Sequence, residues 1–281
     1  MTLAVQPSNN ETPTIGVFDS GFGGLTVLRA LVERIPQARY AFLGDTARLP
    51  YGSKSQRTIA RFAVQSAQFL VKEQGAQFLV IACNTASALA LDAIQDAVPV
   101  PVLGVIRPGA AAARAASRNG DVLVIATDAT VQSHAYAAAC QALGLRALEK
   151  ACPLLVPLVE EGWTNHPVTE QVIDVYLSEL RAQAASAGMR PDTLVLGCTH
   201  YPLLRRQIQQ AVTPGVKVID SAEATAQMAL EQFGIHASAA VPGRQTELHF
   251  FATDSIEKFE RLGSHFLGRP VGKVELLDLG G

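Results

Sequence analysis

The chain has 281 residues, 48% of them hydrophobic and 17% charged, with 22 glycines and a formal net charge of −2. That composition fits a globular α/β protein long enough to bury about three quarters of its unfolded surface, and it excludes a disordered or fibrous chain. Near-neutral charge without a Lys/Arg run removes any electrostatic case for nucleic acid or an anionic membrane surface, and no segment approaches the roughly 20 apolar residues of a membrane span.

The opening MTLAVQPSNNETPT has no basic stretch followed by a long apolar one. It reads as a flexible polar tail over 1–13, and a cytoplasmic protein is expected. Short apolar runs then recur at 15–18, 40–44, 78–82, 100–106, 121–127, 193–197 and 216–220, alternating with alanine- and leucine-rich helical patterns. Strands without a polar face, separated by helices, predict parallel sheets covered on both sides. The expected fold class is α/β: two pseudo-symmetric doubly wound lobes with mostly parallel sheets and the active site between them.

Boundaries are expected near Arg107-Pro108-Gly109 and Asp220-Ser221. The closing segment, TELHFFATDSIEKFERLGSHFLGRPVGKVELLDL, holds a strand, a helix capped by Asp254 or Ser255, and another strand, too little for a third domain. It is assigned to the first lobe. That lobe then comprises 1–107 plus 220–281, and the second comprises 108–219.

In such sheets ligands bind beyond the carboxyl ends of the strands. Three of those ends carry polar residues: Asp19-Ser20, Cys83-Asn84-Thr85 and Cys198-Thr199-His200. Capping accounts for Ser, Thr, Asn and Asp, but not for cysteine. Cys83 and Cys198 lie 115 residues apart, and at that offset Leu79/Leu194, Val80/Val195, Leu89/Leu204, Gln95/Gln210 and Pro99/Pro214 also coincide. The two thiols are thus expected at equivalent strand-to-helix corners, where a helix N-terminus lowers a thiol pKa. Cys140 and Cys152 are read as packing residues. There is no CxxC, and one C-x-H pair is not a zinc site, so no metal is expected. GFGGLTV lacks P-loop spacing.

Redox exchange needs a proximal pair of thiols, whereas these fall in different lobes. A cysteine hydrolase built on Cys198 and His200 leaves Cys83 idle. Proton transfer uses both thiols, one on each side of a bound carbon, and removing a proton from one face while returning one to the other is racemisation.

IGVFDSGFGGLTVL, FLGDTARLPYGSKS, ACNTASALAL, CPLLVPLVEEG and LGCTHYPLL, in this order, resemble the cofactor-independent glutamate racemases of the aspartate/glutamate racemase superfamily. The resemblance implies interconversion of L- and D-glutamate without pyridoxal phosphate or metal, supplying D-glutamate for bacterial peptidoglycan, in a protein expected to be a homodimer. It implies Cys83 and Cys198 as catalytic thiols, Asp19 as partner near Cys83, His200 as partner near Cys198, and Asp45 and Glu160 as assisting carboxylates, with Glu161 competing for the last role. Substrate contacts map to Asp19, Ser20, Pro50, Tyr51, Gly52, Ser53, Asn84, Thr85, Thr127, Thr199 and His200. Lys54 is expected to be solvent-exposed, and His134, His166, His236, His249 and His265 are given no chemistry. Within the class the alternative is a racemase for another amino acid such as aspartate. From a different class it is a noncatalytic binder of small carboxylates.

Overall fold

Segments such as FLVI and TLVLG are stable as strands only where helices cover both faces of the sheet, and they become its inner members. The computed structural model describes residues 12–235 and 246–280. In chain order the first half holds β1 (Thr14–Asp19), α1 (Leu25–Arg34), β2 (Arg39–Gly44), α2 (Gln56–Lys72), β3 (Phe78–Ile81), α3 (Asn84–Leu89), α4 (Leu91–Ala97), β4 (Val102–Gly104) and α5 (Ile106–Ala116). Next come β5 (Asp121–Ala126), α6 (Asp128–Gln132), α7 (Ala135–Ala142), β6 (Arg146–Ala151), α8 (Leu155–Glu160), α9 (Pro167–Ser186), β7 (Thr193–Gly197), α10 (Arg205–Ala211) and β8 (Lys217–Ile219). The last segment holds α11 (Ala222–Gln232), β9 (Leu248–Ala252), α12 (Ile256–Leu267) and β10 (Val274–Leu276).

Two sheets result, ordered β10-β9-β2-β1-β3-β4 and β6-β5-β7-β8, and every pairing among the described residues is parallel. The inner four strands of the first sheet, β2-β1-β3-β4, repeat the order of the second. Phe78 and Thr193, which open β3 and β7, keep the 115-residue offset of the two cysteines, as do Val102 and Lys217, which open β4 and β8. The pseudo-symmetry expected from sequence is therefore one of topology as well as of motif. In each sheet the strand order reverses once, between β1 and β3 and between β5 and β7, and those reversals open the crevices in which α/β proteins bind ligands.

Helix faces explain the packing. In α2, Ser55 caps the start by accepting from the Thr58 N–H, and Ile59, Phe62, Ala63, Ser66, Ala67 and Leu70 form the buried stripe. In α12 the stripe is Phe259, Leu262, Gly263, Phe266 and Leu267, and Gly268 ends the helix at φ 76°, a left-handed position that glycine occupies without strain. Burying each such Leu or Phe contributes about 1.5–3 kcal/mol. One apolar cluster runs from β1, α1 and α12 through to β5, α9 and β7, so a single core joins the two sheets.

Four details depart from the sequence reading. The strand at 146–151 was not expected, because RALEKA carries three charges; it forms the edge of the four-stranded sheet, where charged side chains reach water. The run 100–106 yields only β4, since Ile106 already begins α5, and the boundary triplet Arg107-Pro108-Gly109 lies in that helix's first turn. A proline is tolerated there because its missing N–H has no intrahelical partner anyway. Neither Asp254 nor Ser255 caps α12 through its side chain: Ser255 sits at φ 55° and its N–H bonds to Asp254 Oδ1.

Candidate active site

The loops after β1, β2, β3, β5, β6 and β7 converge on one cavity of about 130 Å³ between the two sheets. That is room for one small metabolite rather than a nucleotide. From the six-stranded side it is lined by Ser20, Leu49, Pro50, Tyr51, Gly52, Ser53, Cys83, Asn84 and Thr85. From the other side come Thr127, Asp128, Pro153, Val156, Pro157, Cys198, Thr199 and His200. Every residue expected to contact substrate is present except Asp19, which stands behind Ser20. Leu49, Pro153, Val156 and Pro157 had no sequence signal, because apolar residues do not show that they line a wall until the fold closes on them, and Asp128 reads as an ordinary first-turn acid of α6.

Cys83 occupies the N-cap of α3, where its sulfur accepts from the Ala86 N–H at 3.4 Å and lies 3.4 Å from the Ser20 hydroxyl. The expected lowering of its pKa does not hold. Burial, reinforced by the charge of Asp19, outweighs these donors and pushes the thiol up to about 12. Asp19 does not bond to Cys83: its Oδ2 accepts from the Gly21 N–H at 2.9 Å and its Oδ1 from the Thr199 hydroxyl at 3.5 Å. Burial raises the Asp19 pKa, opposed chiefly by His200.

Cys198 differs from Cys83. Its segment runs into a 3-10 turn at Tyr201–Leu204 before α10, not into the N-terminus of an α-helix. Its polar partner is a side chain, His200 Nδ1, at 3.9 Å. His200 Nε2 lies 3.2 Å from Glu160 Oε1, and Lys258 Nζ donates to Glu160 Oε2 at 2.9 Å. Burial disfavours the His200 cation, yet the bonds and charges of Cys198 and Glu160 prevail and raise its pKa to about 10. Burial also works against the Glu160 anion, but His200 and Lys258 bring its pKa below the ordinary value. Glu160, the last residue of α8, makes these contacts, while Glu161 is exposed.

Asp45 does not line the cavity. It accepts from the Tyr51 hydroxyl at 2.5 Å and from the Thr253 hydroxyl at 2.9 Å, with Arg48 Nε 3.5 Å away, so it reaches the cavity only through Tyr51. Thr127 caps α6, and its hydroxyl joins those of Thr85 and Thr130 in a closed ring of contacts at 2.9, 3.1 and 2.9 Å that ties α3 to α6 across the sheets. Tyr136 donates to Asn84 Oδ1 at 2.7 Å and fixes that amide.

Gly23 and Gly52 permit two close approaches. A Cβ on Gly23 would stand 2.3 Å from Thr199 Oγ1, and one on Gly52 would stand 2.8 Å from Thr127 Cβ.

Cys140 and Cys152 are buried in the apolar clusters. Lys54 is half-buried rather than exposed, because the 3-10 turn at Tyr51–Ser53 draws it in and its N–H bonds to Tyr51 O. His134, His166, His249 and His265 lie away from the cavity, and His236 falls outside the described residues. Among the described residues no group of three His, Cys, Asp or Glu side chains is arranged to hold a metal ion, and no helix is long and apolar enough to cross a membrane.

Two parallel α/β sheets thus present one cysteine each to a shared crevice. A sequence model of the Asp/Glu/Hydantoin racemase family matches residues 15–229, and the chain belongs to that family. It is 52% identical to a glutamate racemase of Koribacter versatilis, covering 97% of this chain and 100% of that one. In structure it resembles a glutamate racemase isoform from Bacillus anthracis, with TM-score 0.85 and 37% identity over 95% of this chain and 98% of the other. It also resembles the glutamate racemase of Francisella tularensis solved in complex with D-glutamate, with TM-score 0.83, 35% identity and the same coverage.

Proposed function

We propose that this enzyme interconverts L- and D-glutamate by moving protons between Cys83, Cys198 and the two faces of the α-carbon. The observation that carries the reading is that the two thiols, on different sheets, line one cavity. With Cys198 as thiolate facing a His200 cation and Cys83 held as thiol, Cys198 takes the α-proton while Cys83 delivers its own to the opposite face. In the reverse direction the two exchange roles. The proton count is conserved, and no group other than a proton is transferred.

Asp19 and His200 tune the thiols, Glu160 orients His200, and Asp45 acts by holding Tyr51. Backbone N–H groups at the starts of α3 and α6, with the hydroxyls of Ser20, Ser53, Thr85, Thr127 and Thr199 and the Asn84 amide, receive the substrate carboxylates. The high similarity to glutamate racemases favours glutamate over aspartate. The lobe division at 107/108 and 219/220, the supply of D-glutamate for peptidoglycan in the cytoplasm, and a homodimer belong to the same proposal. Leu154, Trp163, Val168 and Val175 are exposed apolar side chains for a dimer to cover, and light scattering measures the oligomeric state.

The test is circular dichroism of D-glutamate, and separately D-aspartate, incubated with pyridoxal-phosphate-free and metal-free protein. Only the glutamate signal decays, and Cys83→Ser and Cys198→Ser each slow that decay by about 10²- to 10⁴-fold. Dependence on Cys198 alone points instead to hydrolase chemistry, and no decay in folded protein defeats the proposal.

A further inference from the structure

We infer that Lys258 is a positioning residue for the proton-transfer machinery: from α12, beside the six-stranded sheet, it grips the carboxylate that orients His200 on the opposite side of the cavity. The inference rests on the proton-transfer reading of Cys198 and His200. The chain of contacts is continuous. Lys258 Nζ is 2.9 Å from Glu160 Oε2, Glu160 Oε1 is 3.2 Å from His200 Nε2, and His200 Nδ1 is 3.9 Å from Cys198 Sγ.

Side-chain exposure falls along that chain, from 35% at Lys258 to 15% at Glu160 and 5% at His200. An ordinary surface ion pair is solvated at both ends and worth little, whereas this one has its acidic end sheltered against a buried imidazole. Lys258 is itself placed, with Nζ 5.6 Å from the centre of the buried Phe22 ring. The same helix sends Phe266 edge-on against His200 at 5.4 Å. Thus α12 touches both the imidazole and the carboxylate that holds it. With Lys258 on one Glu160 oxygen and His200 on the other, the carboxylate is held from two sides, which fixes the rotation of the imidazole and the nitrogen it presents to Cys198.

The charges around this relay come from four places. His200 faces Cys198 on its own segment, Glu160 on α8 and Asp19 at the end of β1, while Glu160 faces His200 and Lys258 on α12. Deleting the lysine charge favours the protonated form of each neighbour.

The experiment compares wild type, Lys258→Met and Lys258→Arg by initial rates of glutamate racemisation across pH, and by NMR titration of the His200 imidazole. We expect Lys258→Met to lower kcat about tenfold with KM within about twofold of wild type, and to move the alkaline limb of kcat/KM to higher pH. Its His200 titration moves with that limb, and Lys258→Arg restores most of the rate. A wild-type pH profile and an unmoved His200 titration in Lys258→Met overturn the inference. If wild type itself leaves glutamate unchanged, the proton-transfer reading falls, and the NMR titration alone decides whether Lys258 governs His200.

Discussion

Tyr51 carries its hydroxyl to a carboxylate that no other cavity residue touches. Replacing it with phenylalanine strips a buried donor from Asp45 and leaves the carboxylate with Thr253 and Arg48. Urea unfolding is expected to show a loss of about 1–3 kcal/mol for Tyr51→Phe. His200 makes a pH prediction. Its pKa of about 10 in the folded chain stands above the unfolded value of 6.5, so the stabilisation is complete below about 6.5 and is lost as pH rises through about 10. Cys83, raised from 9.0 to about 12, adds a loss of the same sign above pH 9. Unfolding free energy in urea is therefore expected to fall from pH 7 to 10, and to fall less steeply in His200→Asn. The cysteines were legible in sequence because they ended apolar runs where capping could not explain them. The lysine that holds Glu160 was not, since Lys258 reaches that carboxylate from 98 positions away along the chain.

Short elements set the width of the cavity. The 3-10 turn at Tyr51–Ser53 lies against α6, and Gly52 is the point of closest approach to Thr127. An added methyl there pushes the turn off α6, so Gly52→Ala is expected to raise KM several-fold while far-UV circular dichroism stays unchanged. Gly23→Ala presses on Thr199 and the Cys198 segment, and steady-state kinetics should show the larger loss in kcat. Strong apolar periodicity made most strands and the α2 stripe readable. It could not reveal β6, whose edge position rewards charge instead of hydrophobicity, nor the turn that replaces a helix start after Cys198. That choice is made by tertiary packing: Tyr201 is fully buried and its hydroxyl donates to Ala126 O and Cys152 O.

At the scale of the molecule, the cavity exists only when both sheets are folded and joined through their common core. A ligand that fills it binds the folded state alone, so glutamate at about 100 times its Kd should add roughly 2.7 kcal/mol and raise Tm by about 5 °C. Differential scanning fluorimetry checks this, and D-aspartate at the same concentration should shift Tm less. The parallel, doubly wound arrangement was legible because βα alternation leaves few topologies open. The way β9 and β10 rejoin the first sheet followed from arithmetic, since two strands and a helix cannot bury a core of their own.

The repeated strand order has a consequence for how such a protein can change. Each half supplies one thiol from the same topological position, yet the residues around the two thiols are encoded separately. A chain assembled as two identical subunits around one cavity would be bound to keep both walls alike, because any substitution would appear twice. Joining the halves in one polypeptide releases that constraint. One wall has serine and aspartate, the other histidine and glutamate, and either can drift without its counterpart following.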